Sequence, residues 1–138
     1  MTTPLQIIKD HYAASARGDL EGMTAPFAAD ISWTEMAGFP YAGTFIGPEA
    51  VKAGVFQRIG AEWSDYQAIP ETYVASGGNV VAIGHYSGTY KASGKSMRVR
   101  FVHHWTLAGA KVVRFEQFTD THLFRMAMVA PRKVTGPG

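Results

Sequence analysis

The chain has 138 residues, 46% of them hydrophobic, enough to build one core without a disulfide or a structural metal. It contains no cysteine, which excludes disulfides, thiolate metal sites and a cysteine nucleophile and fits a reducing compartment, so a cytoplasmic location is expected. The formal charge of +2 comes from basic residues scattered along the chain, and no apolar stretch approaches the roughly 20 residues that span a bilayer; neither nucleic acid nor a membrane is an expected partner.

Thr3-Pro4-Leu5-Gln6 combines a capping threonine, a proline suited to the first helical turn and a glutamine at the capping-box position, so a first helix begins there. Leu5, Ile8, Tyr12 and Ala16 recur at helical spacing and predict its buried stripe, with Gly18 closing the helix. Asp19 is placed to cap a short second helix running to about Ala28, with Leu20, Met23 and Phe27 inward. From Ile31 to Met36 the pattern changes to alternation, putting Ile31, Trp33 and Glu35 on one face. Residues 38–43 read as a loop, and Gly47-Pro48-Glu49 opens a third helix with Val51, Val55, Phe56 and Ile59 as its apolar stripe.

After Trp63 the chain reads as strand and turn: strands over 66–75, 80–91, 95–107 and 111–119 in an antiparallel meander, with Pro70 marking an edge or a bulge. Asp120 is placed to cap a short helix to about Met128. One domain is expected over 1–130, followed by a frayed tail over 131–138. Helices first and a long-stranded meander after is an α+β order, in which an antiparallel-rich sheet curves around the N-terminal helices and encloses one deep pocket for a small hydrophobic molecule.

Strand phase sorts the candidate site residues. Phe101, His103 and Trp105 lie on one face of their strand, His104 with Arg98 and Arg100 on the other, so the His103-His104 pair cannot chelate one ion from one side and no metal site is expected. Glu35 beside Trp33 and Ile31 would lose the water that stabilises its charge, which raises its pKa and makes it a candidate base; the alternative is an acid at a strand end paired in solvent. A protonated His103 in the same cavity would oppose that rise and couple the two titrations. Tyr12 and His11 compete to project a hydrogen-bond donor from the first helix. Val113, Phe115, Gln117 and Thr119 share the inward phase of the last strand, Tyr41 is placed to line the mouth, Asp120 is either a helix cap or a pocket acid, and His85 has no assigned role. No glycine-rich phosphate loop or serine-nucleophile motif is present, and no cofactor is expected.

His11-Tyr12-Ala13-Ala14 through Gly18-Asp19-Leu20, Phe27-Ala28-Ala29-Asp30-Ile31-Ser32-Trp33, Gly47-Pro48-Glu49-Ala50-Val51 and Phe118-Thr119-Asp120-Thr121 together resemble the SnoaL-like polyketide-cyclase and ketosteroid-isomerase-related branch of the nuclear transport factor 2 superfamily, over roughly residues 4 to 128. The resemblance implies that superfamily's cone-shaped α+β fold. By analogy with ketosteroid isomerase, Glu35 falls at the position of the base, His103 at that of the acidic hydrogen-bond donor, and His11 or Tyr12 at that of the tyrosine. By analogy with the polyketide cyclases, His103 matches the catalytic histidine, but Gln117 stands in place of the last-strand aspartate. Neither full catalytic set is present.

Two classes of function follow. One is an isomerase or cyclase that moves a proton next to a carbonyl of a steroid- or polyketide-like substrate, with Glu35 as base, His103 plus Tyr12 or His11 as donors, and Trp33, Tyr41, Phe101, Trp105, Phe115 and Gln117 around the substrate. The other is a non-catalytic domain that binds a hydrophobic ligand or another protein. Epoxide opening would need an inward arginine, and none is read. The apolar Val102 with Thr106 on the outer face leads to an expected homodimer through that face.

Overall fold

The computed structural model describes residues 2–130, and the expected frayed tail at 131–138 lies outside the described residues. Helix α1 (Pro4–Ala16) is capped by the Thr3 side chain, which accepts from the Gln6 amide, and α2 (Leu20–Thr24) by Asp19, which accepts from Gly22. The second helix is shorter than expected, because Pro26 has no N–H with which to continue the helical ladder; strand β1 (Phe27–Glu35) begins directly after that proline. The buried face of α1 is Ile8, His11, Tyr12 and Ala14, with Ala16 exposed, so the stripe is rotated toward the two site candidates.

Between the expected loop and the third helix, over residues given no element from the sequence except Gly43 of the loop, lies a short strand, β2 (Gly43–Ile46), paired antiparallel with β1. It is followed by a continuous helical stretch over 48–62: α3 (Pro48–Val51), a π-helical turn (Lys52–Phe56) and α4 (Gln57–Glu62). The remaining strands are β3 (Trp63–Ser76), β4 (Asn79–Tyr90), β5 (Ser96–Ala108) and β6 (Lys111–Thr119), and α5 (Thr121–Met128) ends the described chain.

The six strands form one sheet in the order β2-β1-β6-β5-β4-β3. The last four make the expected antiparallel meander, while β1 joins β6 in parallel, bringing Trp33 opposite Phe115. Pro70 is on the edge strand β3 and at a register shift, so both parts of its reading hold. It is paired with Gly84, where a Cβ would lie 2.0 Å from the Ile69 carbonyl oxygen; the two backbones approach this closely only because Gly84 has no side chain. Another register shift lies between Thr106 and Leu107, opposite Arg114 and Val112. It turns Val112 inward, and the expected inward Val113 is only half-buried. The core consists of the inner sheet face, including Val80, Ala82, Val99 and Leu107, covered by α1, the 48–62 helix and α5.

Candidate active site

A cavity of about 310 Å³ lies between the helices and the inner sheet face. His11, Tyr12 and Ser15 of α1 line one side, Val55, Phe56 and Ile59 another, and the sheet contributes Trp33, Glu35, Tyr66, Tyr86, His103, Trp105, Phe115 and Gln117. Trp33 and Phe115 stack across the β1–β6 pair with ring centroids 3.6 Å apart, and Trp105 meets Phe115 edge-on at 4.7 Å. The wall is therefore mainly aromatic, with a few polar groups.

Glu35 is one of them. Strand alternation puts it on the face of Ile31 and Trp33, and it is 5% exposed. Its Oε1 accepts from the Trp33 indole N–H at 3.0 Å, whereas Oε2 is buried with no partner among the described residues. Burial pushes the carboxyl up to about 7, against a smaller opposing effect of the Trp33 hydrogen bond. Near neutral pH this group can therefore both take up and release a proton.

His103 is the hub of the second polar group. Its Nδ1 is 2.6 Å from the Tyr12 hydroxyl and its Nε2 2.5 Å from the Tyr86 hydroxyl. Burial first, and the neighbouring His11 second, hold its pKa well below the usual histidine range, so the ring is neutral, with one N–H and one bare nitrogen. The Trp105 indole donates to the Tyr12 oxygen at 3.0 Å, and the Gln117 amide to the Tyr86 oxygen at 2.8 Å. A neutral ring can accept from only one tyrosine and must donate to the other. The tyrosine that accepts from the ring then keeps a hydroxyl hydrogen the network does not use. Burial raises both hydroxyl pKa values well above the usual tyrosine range, so both oxygens stay protonated. The assembly thus presents one spare O–H to the cavity, the donor needed to hold an oxygen on which negative charge develops. The expected coupling of a charged His103 to Glu35 does not arise, because the imidazole stays neutral and both its nitrogens face tyrosines.

Both competitors on α1 line the cavity. His11 is 4% exposed and its Nδ1 lies 2.8 Å from the Met23 carbonyl oxygen. A carbonyl only accepts, so the one N–H of this ring is occupied, and of the two competitors Tyr12 is the one whose hydroxyl belongs to the network around His103. Burial lowers the His11 pKa to about 4, an effect the Met23 hydrogen bond partly offsets.

Two expected lining residues are elsewhere. Tyr41 is buried outside the cavity, donating its hydroxyl to Glu62 at 3.1 Å and accepting from the Trp63 indole at 3.0 Å, because its loop folds back on the 48–62 helix. Phe101 lies behind the wall, stacked on His103 at 3.8 Å, and supports the ring from the side. Gln117 is 1% exposed and acts on the network through Tyr86. Asp120 is exposed, and its side chain accepts from the Leu123 amide at 3.0 Å as a helix cap. His104 points to the outer face, bonded to Asn79, and His85 lies between Glu71 at 2.6 Å and Arg98 at 3.0 Å.

Sequence reasoning missed Tyr66 and Tyr86. Strand β4 is apolar on both phases, so alternation alone gives no inward side; Tyr86 shares its phase with Ala82 and Gly84, and this run of small residues was the one signal that its ring had room.

The SnoaL-like domain model matches residues 8–115. No curated protein matches the chain. Among solved structures, an NTF2-like protein from Burkholderia thailandensis is 47% identical and superposes with a TM-score of 0.90, over 94% of this chain and 99% of that one. An NTF2-like protein from Burkholderia pseudomallei is 28% identical, with a TM-score of 0.86 over 94% and 100% of the two chains. TerC, co-crystallised with polyporic acid, is 25% identical, with a TM-score of 0.81 over 91% and 98%. The matched domain covers most of the chain and the architecture agrees along nearly all of it, so this protein belongs to the SnoaL-like domain family, with the NTF2-like fold.

Proposed function

We propose that the protein catalyses proton transfer next to the carbonyl of a small, hydrophobic, ring-containing ketone. The observation that carries this reading is the Glu35 carboxyl: it is buried in an aromatic cavity, its Oε2 has no partner among the described residues, and its pKa is pushed to about 7. Oε2 takes the proton from the carbon beside the carbonyl, and the electron pair of that C–H bond moves into the enolate. The enolate oxygen accepts the spare hydroxyl hydrogen of Tyr12 or Tyr86, and the proton returns from Glu35 to carbon to complete the cycle. His103, Trp105 and Gln117 position the two tyrosines. The test is proton NMR of deuterium uptake by a panel of cyclic ketones in heavy water. Exchange above the buffer rate, lost in Glu35→Gln with ketone binding retained, is the expected result; exchange equal to the buffer rate for every ketone would refute the reaction.

A second reading, a non-catalytic binding domain for a flat aromatic ligand, is favoured by one observation: a relative of this fold holds polyporic acid. Binding without exchange in the same panel is its signature.

We also propose that the chain forms a homodimer through the outer sheet face in the cytoplasm. Strand register puts Phe118, Val102 and Ile83 in one row across that face, and Phe118 is 44% exposed. Light scattering at micromolar concentration should give twice the chain mass; a monomer there would sink the dimer.

A further inference from the structure

The proton-transfer reading makes no use of His11. With its N–H held by Met23 and its ring neutral, the remaining nitrogen, Nε2, carries a bare lone pair, and it bonds to no described residue. It is not fully enclosed either: among the described residues, Glu35 Oε2 is the one wholly buried side-chain polar atom without a partner. His11 lines the cavity with 4% of its surface exposed, and with Nδ1 turned to Met23 the ring edge that carries Nε2 is the one left for that space. The ring is fixed there by Trp105, edge-on at 4.7 Å, and by Phe27, stacked at 5.8 Å.

Trp33 is a neighbour of both this ring and the base. Its indole N–H is on Glu35, while its ring centroid lies 6.5 Å from the imidazole. The cavity thus holds a second acceptor besides the carboxyl, among aromatic groups that offer it no hydrogen. A ligand with nothing to donate would leave that nitrogen desolvated and unpaired, and one with an O–H or N–H would satisfy it.

We infer that His11 is a specificity residue, and that the ligand is a cyclic ketone bearing a hydroxyl or N–H donor on the ring remote from its carbonyl. This rests on the reading of the cavity as a ketone site, and the experiment separates the two. The probes are 6-hydroxy-2-tetralone and 6-methoxy-2-tetralone, which share the ketone and the ring oxygen but differ in the donor hydrogen. Their affinities are read from quenching of Trp33 and Trp105 fluorescence. The wild type should bind the hydroxyl compound about tenfold more tightly, the factor expected of one hydrogen bond. His11→Phe keeps an aromatic ring and His11→Asn keeps a donor toward Met23, and in both the preference should fall to about one while affinity for the methoxy compound is retained. In the wild type, the ¹⁵N signal of His11 Nε2 should move on adding the hydroxyl compound and stay in place with the methoxy compound, a readout that needs neither variant. Equal affinities in the wild type, or a preference surviving in both variants, would overturn the inference and leave the ketone site standing. Failure of both tetralones to bind would remove the ketone site and the inference with it.

Discussion

Replacing Glu35 with glutamine should stabilise the protein at alkaline pH and leave it nearly unchanged in acid. The carboxyl is raised from an ordinary 4.5 to about 7, chiefly by burial. Below pH 4.5 the group is protonated in both the folded and the unfolded chain, and glutamine is close to its isostere, so the variant and the wild type should match. Between pH 4.5 and 7 the unfolded chain releases this proton while the folded one keeps it, so wild-type stability falls as pH rises; above 7 the loss is complete. The gap of about 2.5 pH units, at about 1.36 kcal/mol each, amounts to on the order of 3 kcal/mol. Urea unfolding of both proteins, followed by tryptophan fluorescence at pH 4 and pH 9, measures this directly, since titrations common to both chains cancel in the difference. Near equality at pH 4 and a variant more stable by on the order of 3 kcal/mol at pH 9 are expected, with unchanged m-values. The same difference at both pH values would refute the reasoning, for it would mean that Glu35 ionises in the folded chain as it does in water.

Asp120→Ala should cost about 1 kcal/mol in thermal or urea unfolding through loss of the α5 cap and leave ketone binding unchanged; a loss of binding at unchanged stability would return Asp120 to the pocket. Gly84→Ala should cost more, about 3 kcal/mol or above, because its Cβ would meet backbone at 2.0 Å and no side chain can yield; a melting temperature within a degree of the wild type would contradict that.

The sequence carried the fold well where one signal acted alone. Thr3, Asp19 and Asp120 cap helices as their residue types dictate, and the long strands of the meander fall within a few residues of the alternating runs. It failed where two effects competed. The early end of α2 comes from Pro26 overruling a helical pattern, and β2 was hidden because a four-residue edge strand has too few positions for alternation to register. The inward Val112 depends on a bulge, and a bulge is set by pairing with a partner strand, which no local pattern encodes.

At the site the same distinction has a chemical consequence. Strand phase brought Trp33, Glu35, His103, Trp105, Phe115 and Gln117 to one cavity, but phase says nothing of which hydrogen each polar group holds. That is decided by partners distant in sequence: Met23 for His11, Tyr12 and Tyr86 for His103, Trp105 and Gln117 for the tyrosines. Once those hydrogens are assigned, three polar groups of the cavity are left without a partner among the described residues: the Oε2 of Glu35, the Nε2 of His11 and one tyrosine O–H. Apolar side chains at these places would avoid the cost of leaving polar atoms unpaired. A carboxyl, a lone pair and a hydroxyl hydrogen around one aromatic space match an acidic C–H, a donor and a carbonyl oxygen, and a ligand that brings all three removes that cost in a single binding step.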